Sequence, residues 1–410
     1  MKYICFSAGI LFFSFLNVFT QNSDSLTIYS TVQADSLHKQ DSVKLISDST
    51  LSLKDSIPSE IKDSLKIDSL YVKSDTSLLK NDTISIIGVG DMMLGTDYPS
   101  KNYLPPGRDC SLQLKNVQTV LKDADITFGN FEGTMAGDKG IPKYCRDTTR
   151  CYVFRMPQEF IHCFTESGFD VLSTANNHSN DFGEKGRLET MRILDTSGIH
   201  YAGYLEKSYI IFVKDSVQYG FCAFAPNKGT MDSKNYDTVI SIISYLDSLC
   251  DIVITSIHSG AEGAKYQHLP KTDEVYLGYN RGNIYEFSHL AVDAGADIIF
   301  GHGPHVTRAI ELYKNRFIAY SLGNFSTYGR FNLRGPNGIA PIIKINVDIN
   351  GQFINGQIIP TYQEGEGYTQ IDPQKRAIYK IIELTKIDFS DPGLNIDTNG
   401  KITKKQALYK

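Results

Sequence analysis

From Thr83 onward, apolar runs recur along the chain, and each breaks off at once into polar residues. Residues 84–90 lead to Asp91, and residues 124–129 lead to Asn130 and Glu132. Residues 169–175 lead to Asn176, Asn177 and His178, residues 251–257 lead to His258, and residues 296–301 lead to His302 and His305. Stretches with helical spacing lie between or beside these runs, at 113–122, 157–167, 184–195, 237–249 and 283–294. The second, third and fifth end near Gly168, Gly198 and Gly295, where a left-handed cap favours glycine. Strands alternating with helices predict βαβ units, and strands apolar on both faces predict a sheet buried on both sides. Later the pattern changes. Residues 342–349 alternate, Asn350-Gly351 makes a hairpin turn, and 353–360 form the return strand. A closing helix is predicted over 375–387, and residues 391–410 are expected to be a loose tail.

The first 82 residues follow another pattern. Met1-Lys2, an apolar run over 3–19 and Thr20-Gln21 predict a secretory signal peptide over 1–21. The run is also near the lower length for a membrane span, so an uncleaved N-terminal anchor is the alternative. Either way the chain is expected to be exported, to a periplasmic or cell-surface location. Residues 22–82 repeat Asp-Ser or Asp-Thr at Asp24, Asp35, Asp41, Asp48, Asp55, Asp63, Asp68, Asp75 and Asp82. Such a composition predicts a disordered tether with a root-mean-square reach of roughly 45 Å.

A net charge of −5 and a pI near 6.0 offer no basic face to a nucleic acid. Export makes disulfides possible. Cys145 and Cys151 flank a polar loop they are placed to close, whereas Cys222 and Cys250 lie in apolar runs as buried thiols. Without a CxxC pair, a zinc–thiolate site is not expected.

The polar clusters all fall at the carboxyl ends of predicted strands, where open α/β sheets bind ligands. Taken alone, 176–181 is an Asx-rich turn. Its recurrence at five strand ends favours a shared site holding Asp91, Asn130, Glu132, Asn177, His178, His258, His302 and His305. Carboxylates, imidazoles and an amide oxygen suit Mn, Fe or Zn better than Mg. Such an ion acts as a Lewis acid and lowers the pKa of coordinated water. Arg155, Arg281, Arg308, Arg330 and Arg334 are candidates for recognising a polyanion, though each by itself is more ordinary as a solvated surface cation. His268 and His289 look ordinary.

The ordered motifs Gly90-Asp91-Met92-Met93-Leu94-Gly95, Asn130-Phe131-Glu132-Gly133, Ala175-Asn176-Asn177-His178, His258-Ser259-Gly260, Gly301-His302-Gly303-Pro304-His305-Val306 and Ser321-Leu322-Gly323-Asn324-Phe325 carry a resemblance. Over roughly 83–365 the chain resembles the CapA (PgsA-type) family of poly-γ-glutamate capsule biosynthesis. That family is similar in turn to calcineurin-like metallophosphoesterases. The resemblance implies an α/β fold, a four-layer αββα sandwich of the metallophosphoesterase type with a C-terminal β-hairpin, spanning 83–390. It implies one or two divalent ions. Asp91 would bind the first, with Glu132 at the bridging position. Asn177, His258 and His302 would bind the second, and His305 would return to the first. His178 would be the general acid, oriented by Asp181, with Asn130 grouped among the catalytic residues. Three departures are visible: Met93 where phosphoesterases carry His, Glu132 where they carry Asp, and Ser259 where the family often carries Trp. The expected role is synthesis, export or processing of an anionic capsule polymer, within a membrane-associated synthesis complex. The alternatives are a secreted phosphoesterase acting on a phosphate ester and a binding relative without turnover.

Overall fold

The computed structural model describes residues 83–147 and 151–405. The expected signal peptide and tether lie outside the described residues. Among those described, no helix is long and apolar enough to cross a membrane.

The chain begins with β1 (Ile84–Met93), two short helices α1 (Ser111–Leu114) and α2 (Gln118–Leu121), β2 (Ile126–Phe131), α3 (Ile161–Glu166), β3 (Val171–Ser173), α4 (Gly183–Ser197) and β4 (His200–Ala202). Next come β5 (Tyr209–Lys214), β6 (Val217–Phe224), α5 (Tyr236–Asp247), β7 (Ile252–His258), the small pair β8 (Val275–Tyr276) and β9 (Tyr279–Asn280), and α6 (Ile284–Asp293). After them run β10 (Ile298–His302), β11 (Ile310–Tyr313) and β12 (Arg316–Ala319). The last part contains β13 (Asn324–Thr327), β14 (Ile339–Val347), β15 (Phe353–Tyr362), β16 (Gln370–Ile371), α7 (Arg376–Asp388), β17 (Leu394–Ile396) and β18 (Lys401–Lys404).

These strands form two large sheets. One runs β17-β18-β15-β14-β1-β2-β3-β4, with β13 also beside β1 and β16 beside β15. The other runs β11-β12-β10-β7-β6-β5. The period-two pattern explains how they stack. Ile84, Ile86, Ile252, Ile254, Ile298 and Phe300 point into one core shared by both sheets. Ile87 and Val89 point the other way, to Leu114, Leu121, Phe164 and Leu194 of the helices covering the first sheet. Val253, Ile257 and Ile299 likewise face Val239, Ile243, Phe287 and Ala291 of α5 and α6. The result is the expected four-layer αββα sandwich. Where the sheets come closest, a Cβ on Gly88 would stand 2.3 Å from the Phe300 ring, so only glycine fits.

β1 changes partners along its length, and this opens the site. Ile84–Gly88 pairs antiparallel with β14, whereas Asp91–Met93 pairs parallel with β13. The register with β2 also shifts between Gly88 and Asp91. A switch of partners at the carboxyl end of a central strand leaves the crevice that α/β sheets use for ligands.

Three expectations need correction or refinement. The tail from 391 is not loose through the described residues. β17 and β18 extend the first sheet from β15, burying Leu394 and Ile402. The single helix expected over 113–122 is broken into α1 and α2 around residues 115–117. Finally, Cys110 and Cys163 form a disulfide in addition to Cys145–Cys151, joining α3 to the start of α1. Cys222 is a buried thiol and Cys250 a half-buried one. The 350–351 hairpin and the glycine caps stand as expected, with Gly351 at φ 70° and Gly198 at φ 78°.

Candidate metal centre

Each strand end delivers its polar residues to one buried place. Asp91 follows the partner switch of β1, and its amide donates to the Gly323 carbonyl at 2.8 Å. Asn130, at the end of β2, donates from Nδ2 to Asp91 Oδ1 at 2.8 Å. On the second sheet, β7 and β10 are parallel and in register at their last residues, so His258 and His302 stand side by side. His305 adopts φ 56°, the left-handed region that non-glycine residues seldom enter, and so turns its ring back toward β1.

Distances define the cluster. His305 Nδ1 lies 2.9 Å from Asp91 Oδ2, and its Nε2 lies 3.6 Å from Glu132 Oε1. His302 Nδ1 is 3.4 Å from Asp91 Oδ1, and His258 Nε2 is 3.7 Å from Glu132 Oε1. Asp91, Glu132, His258 and His302 are fully buried. The site therefore joins the two sheets, with carboxylates from the first and imidazoles from the second.

The donor set fits a divalent cation on one specific observation. Both carboxylate oxygens of Glu132, both ring nitrogens of His258 and of His302, and Oδ1 of Asn177 are buried without a hydrogen-bond partner among the described residues. An unmade hydrogen bond in the interior costs about 1–3 kcal/mol each. The unpartnered atoms of Glu132, His258 and His302 converge around Asp91 and His305, the arrangement a bound ion satisfies. Asp91, Glu132 and His305 each offer an atom within 4.8 Å of the others. The second such triplet, Cys110, His162 and Cys163, has its thiols consumed by the disulfide.

Electrostatics agree with the geometry. Burial opposes the Asp91 charge, but the neighbouring imidazoles of His302 and His305 hold its carboxyl far below the usual range. Burial, then the neighbouring Asp91 charge, raises Glu132 well above the carboxylate range. Burial pushes His258 well below the usual imidazole value. His305 resists burial, because Glu132 and Asp91 together drive it up to about 10.

The 176–181 run divides into distinct tasks. Asn176 Nδ2 donates to the Phe131 carbonyl at 2.8 Å and to Asn130 Oδ1 at 3.3 Å, tying β3 to β2. Asn177 leaves Oδ1 free for a ligand. His178 Nδ1 lies 2.8 Å from Asp181 Oδ2, and Phe154 stacks on its ring at 4.2 Å. Burial lowers the His178 pKa, with the Asp181 charge opposing, and Asp181 Oδ2 accepts from Nδ1, so Nε2 is the ring nitrogen left to carry or release a proton.

Of the nine expected site residues, Asp91, Asn130, Glu132, His258, His302 and His305 meet in one cluster, and His178 with Asp181 lies beside it through the Phe154 and Phe331 rings. Asn130 spends its amide on Asp91 and Asn176, so it holds the Asp91 carboxylate in place. Met93 is buried in the apolar cluster on the outer face of β1, consistent with the side chain two residues from Asp91 in a distorted strand. Several neighbours escaped the sequence reading. Asn324 Oδ1 is 3.0 Å from His305 Nδ1, and Lys143 Nζ is 2.5 Å from Asp181 Oδ1. Phe331 stacks on Phe154 at 5.2 Å and meets His305 edge-on at 5.6 Å, supplying a ring wall beside the cluster. Only Asn324 carried a signal, its place in Ser321-Leu322-Gly323-Asn324-Phe325.

The chain is 29% identical over 269 residues to the capsule biosynthesis protein CapA of Bacillus anthracis, covering 60% of this chain and 60% of that one. It is 29% identical over 273 residues to the PGA biosynthesis protein CapA of Bacillus subtilis (strain 168), covering 62% of this chain and 66% of that one. The matches thus span less than two thirds of either relative. Among solved structures, a putative 5′-nucleotidase from Staphylococcus aureus in complex with alpha-ketoglutarate aligns with TM-score 0.41 and 13% identity, over 70% of this chain and 54% of that one. The purple acid phosphatase PPD1 from yellow lupin seeds aligns with TM-score 0.36 and 12% identity, over 71% and 54%. The family described as "Bacterial capsule synthesis protein PGA_cap" matches residues 85–328, more than half of the chain. On that match, the chain belongs to the PGA_cap family of bacterial capsule synthesis proteins.

Proposed function

We propose that this is an exported protein of poly-γ-glutamate capsule biosynthesis, acting at a divalent metal centre on an anionic γ-linked polymer during its synthesis, export or processing. The observation that carries the reading is the group of buried, unpartnered donors on Glu132, His258 and His302 beside Asp91 and His305. Family membership and the names of the Bacillus relatives supply the polymer. A bound ion of the Mn, Fe or Zn class would supply Lewis acidity and lower the pKa of a coordinated water. The chain's own residues do the rest. Asn130 and Asn176 hold Asp91 in place, while Phe154 and Phe331 wall the site with apolar rings. His178, fixed by Asp181, presents Nε2 for proton exchange with a leaving group. The N-terminal segment would deliver the domain to the cell surface, near a membrane-associated synthesis complex.

The test has two parts. Full-length protein should retain a stoichiometric divalent metal through purification and lose it in His258→Ala. A gene deletion should abolish surface γ-linked polymer, restored by wild type but not by His258→Ala. Restoration by the metal-free variant would overturn the proposal.

A second reading rests on His178 and Asp181, whose arrangement equally suits protonation of an alkoxide leaving a phosphate ester. Metal-dependent hydrolysis of a generic phosphodiester, with intact polymer production in the deletion strain, would favour it.

A further inference from the structure

Five arginines are candidates for gripping an anion, and the fold separates them. Arg155 is tied to Asp97 at 2.6 Å and to the Gly137 carbonyl at 3.0 Å. Arg308 is fully buried, with both terminal nitrogens 2.7 Å from the Glu274 oxygens. Arg330 is laid between the Tyr103 and Tyr152 rings, and Arg334 is exposed.

Arg281 differs from all four. It is 7% exposed, yet Nε and Nη2 make no hydrogen bond among the described residues. Its contact is an ion pair, Nη2 to Glu262 Oε1 at 3.2 Å, without hydrogen-bond alignment. A guanidinium so deeply buried normally has its fork filled. The backbone fixes where it stands. The Arg281 carbonyl accepts from the Gly260 amide at 3.2 Å and from the Ser259 hydroxyl, so the residue is clipped to the two positions directly after His258. The Arg281 amide donates to the Glu274 carbonyl at 2.7 Å, and Glu274 is itself locked by Arg308. The Arg281 charge reaches Glu132 and His258, and the Glu262 charge reaches Glu132, His178 and His305, so the pair borders the metal centre.

We propose that Arg281 is the substrate clamp of this centre: Nε and Nη2 grip two oxygens of an anionic group, a carboxylate or a phosphoryl group, with Glu262 holding the guanidinium until that group arrives. The geometry matches the planar fork that binds such groups with two parallel hydrogen bonds. The inference rests on the metal-centre reading above and gives that site its substrate charge. Lysine, a point charge without the fork, replaces arginine poorly in such a role.

Calorimetry on the full-length, manganese-loaded protein tests it, with oligo-γ-glutamate in one arm and inorganic phosphate in the other. Metal content is measured on each sample. Arg281→Lys and Arg281→Met should retain the metal and weaken binding by roughly 10- to 100-fold, as expected for a lost charge-assisted pair. Glu262→Gln should bind as tightly as wild type or more tightly. The arm in which the loss appears identifies the group, carboxylate or phosphoryl. Binding by Arg281→Lys within twofold of wild type in both arms overturns the clamp while leaving the metal centre intact. Wild type that binds neither probe also overturns it. Wild type that takes up no manganese overturns the metal-centre reading itself and is seen directly in the metal measurement.

Discussion

His178 Nδ1 stands 2.8 Å from Asp181 Oδ2, and the same carboxylate oxygen accepts the Phe154 amide at 2.6 Å while Lys143 holds the other oxygen. One fully buried carboxylate therefore fixes the histidine, the Phe154 segment whose ring stacks on it, and Lys143. Asp181→Asn keeps the volume but cannot hold the same proton pattern. It is expected to leave metal content unchanged and to reduce turnover by roughly 10²-fold, the lower end for a general acid. Lys143→Met, on a partly exposed partner, should cost far less. Parallel rate and metal measurements check both, and equal losses of metal and rate in Asp181→Asn would refute the division of roles.

Removal of the ion should be felt as stability. The unpartnered donors of Glu132, His258 and His302 join two sheets, so a ligand bridging them opposes separation of the layers. At a hundredfold excess over its Kd, a bound ion adds about 2.7 kcal/mol. Chelator should therefore lower the melting temperature of wild type by several degrees. His258→Ala with His302→Ala should melt at one temperature with or without metal, and a chelator shift persisting in that double variant would contradict the assignment.

How much of this was legible beforehand depends on sequence distance. Asp91, His258 and His302 end apolar runs, so strand periodicity alone carried them to one edge of the sheets. Lys143 reaches Asp181 across residues with no regular pattern, and Phe331 reaches His305 only because the 330–334 loop folds over the site. Such contacts leave no local trace. The tail misled for a different reason. β17 and β18 are three and four residues long, and most of their residues are polar or exposed. Only Leu394 and Ile402 are buried, too few to distinguish an added edge strand from a loose end.

Arg308 and Glu274 form a buried bidentate pair at 2.7 Å, with Glu274 Oε2 also accepting the Ala261 amide at 3.0 Å. Together they brace the 260–282 loop that carries Arg281. Breaking such a pair from one side strands a charge and typically costs about 3–5 kcal/mol, whereas replacing both sides with apolar groups is often near neutral. Arg308→Met alone should be strongly destabilised in urea unfolding. Arg308→Met with Glu274→Leu should recover much of that loss. Additive losses would mean that the two residues act independently.

Asp297, at the opposite end of β10 from His302, gives a pH signature of its own. Burial pushes its carboxyl up to about 7, against the opposing Val253 amide, which donates at 2.7 Å, and Arg316, 3.1 Å away. The unfolded value is about 3.9. Below pH 4 the group is protonated in both states. Between about 4 and 7 the unfolded chain has released the proton and the folded chain still holds it, so stability falls as pH rises; above 7 the loss is complete. Asp297→Asn lacks this titration. Wild type minus variant should therefore be greatest near pH 4 and fall by up to about 4 kcal/mol by pH 7.5, then stay level. Urea titrations of both proteins at matched pH measure the difference directly, with other carboxylates cancelling. A difference that is constant from pH 4 to 8 would mean that Asp297 titrates normally, its charge fully met by Arg316.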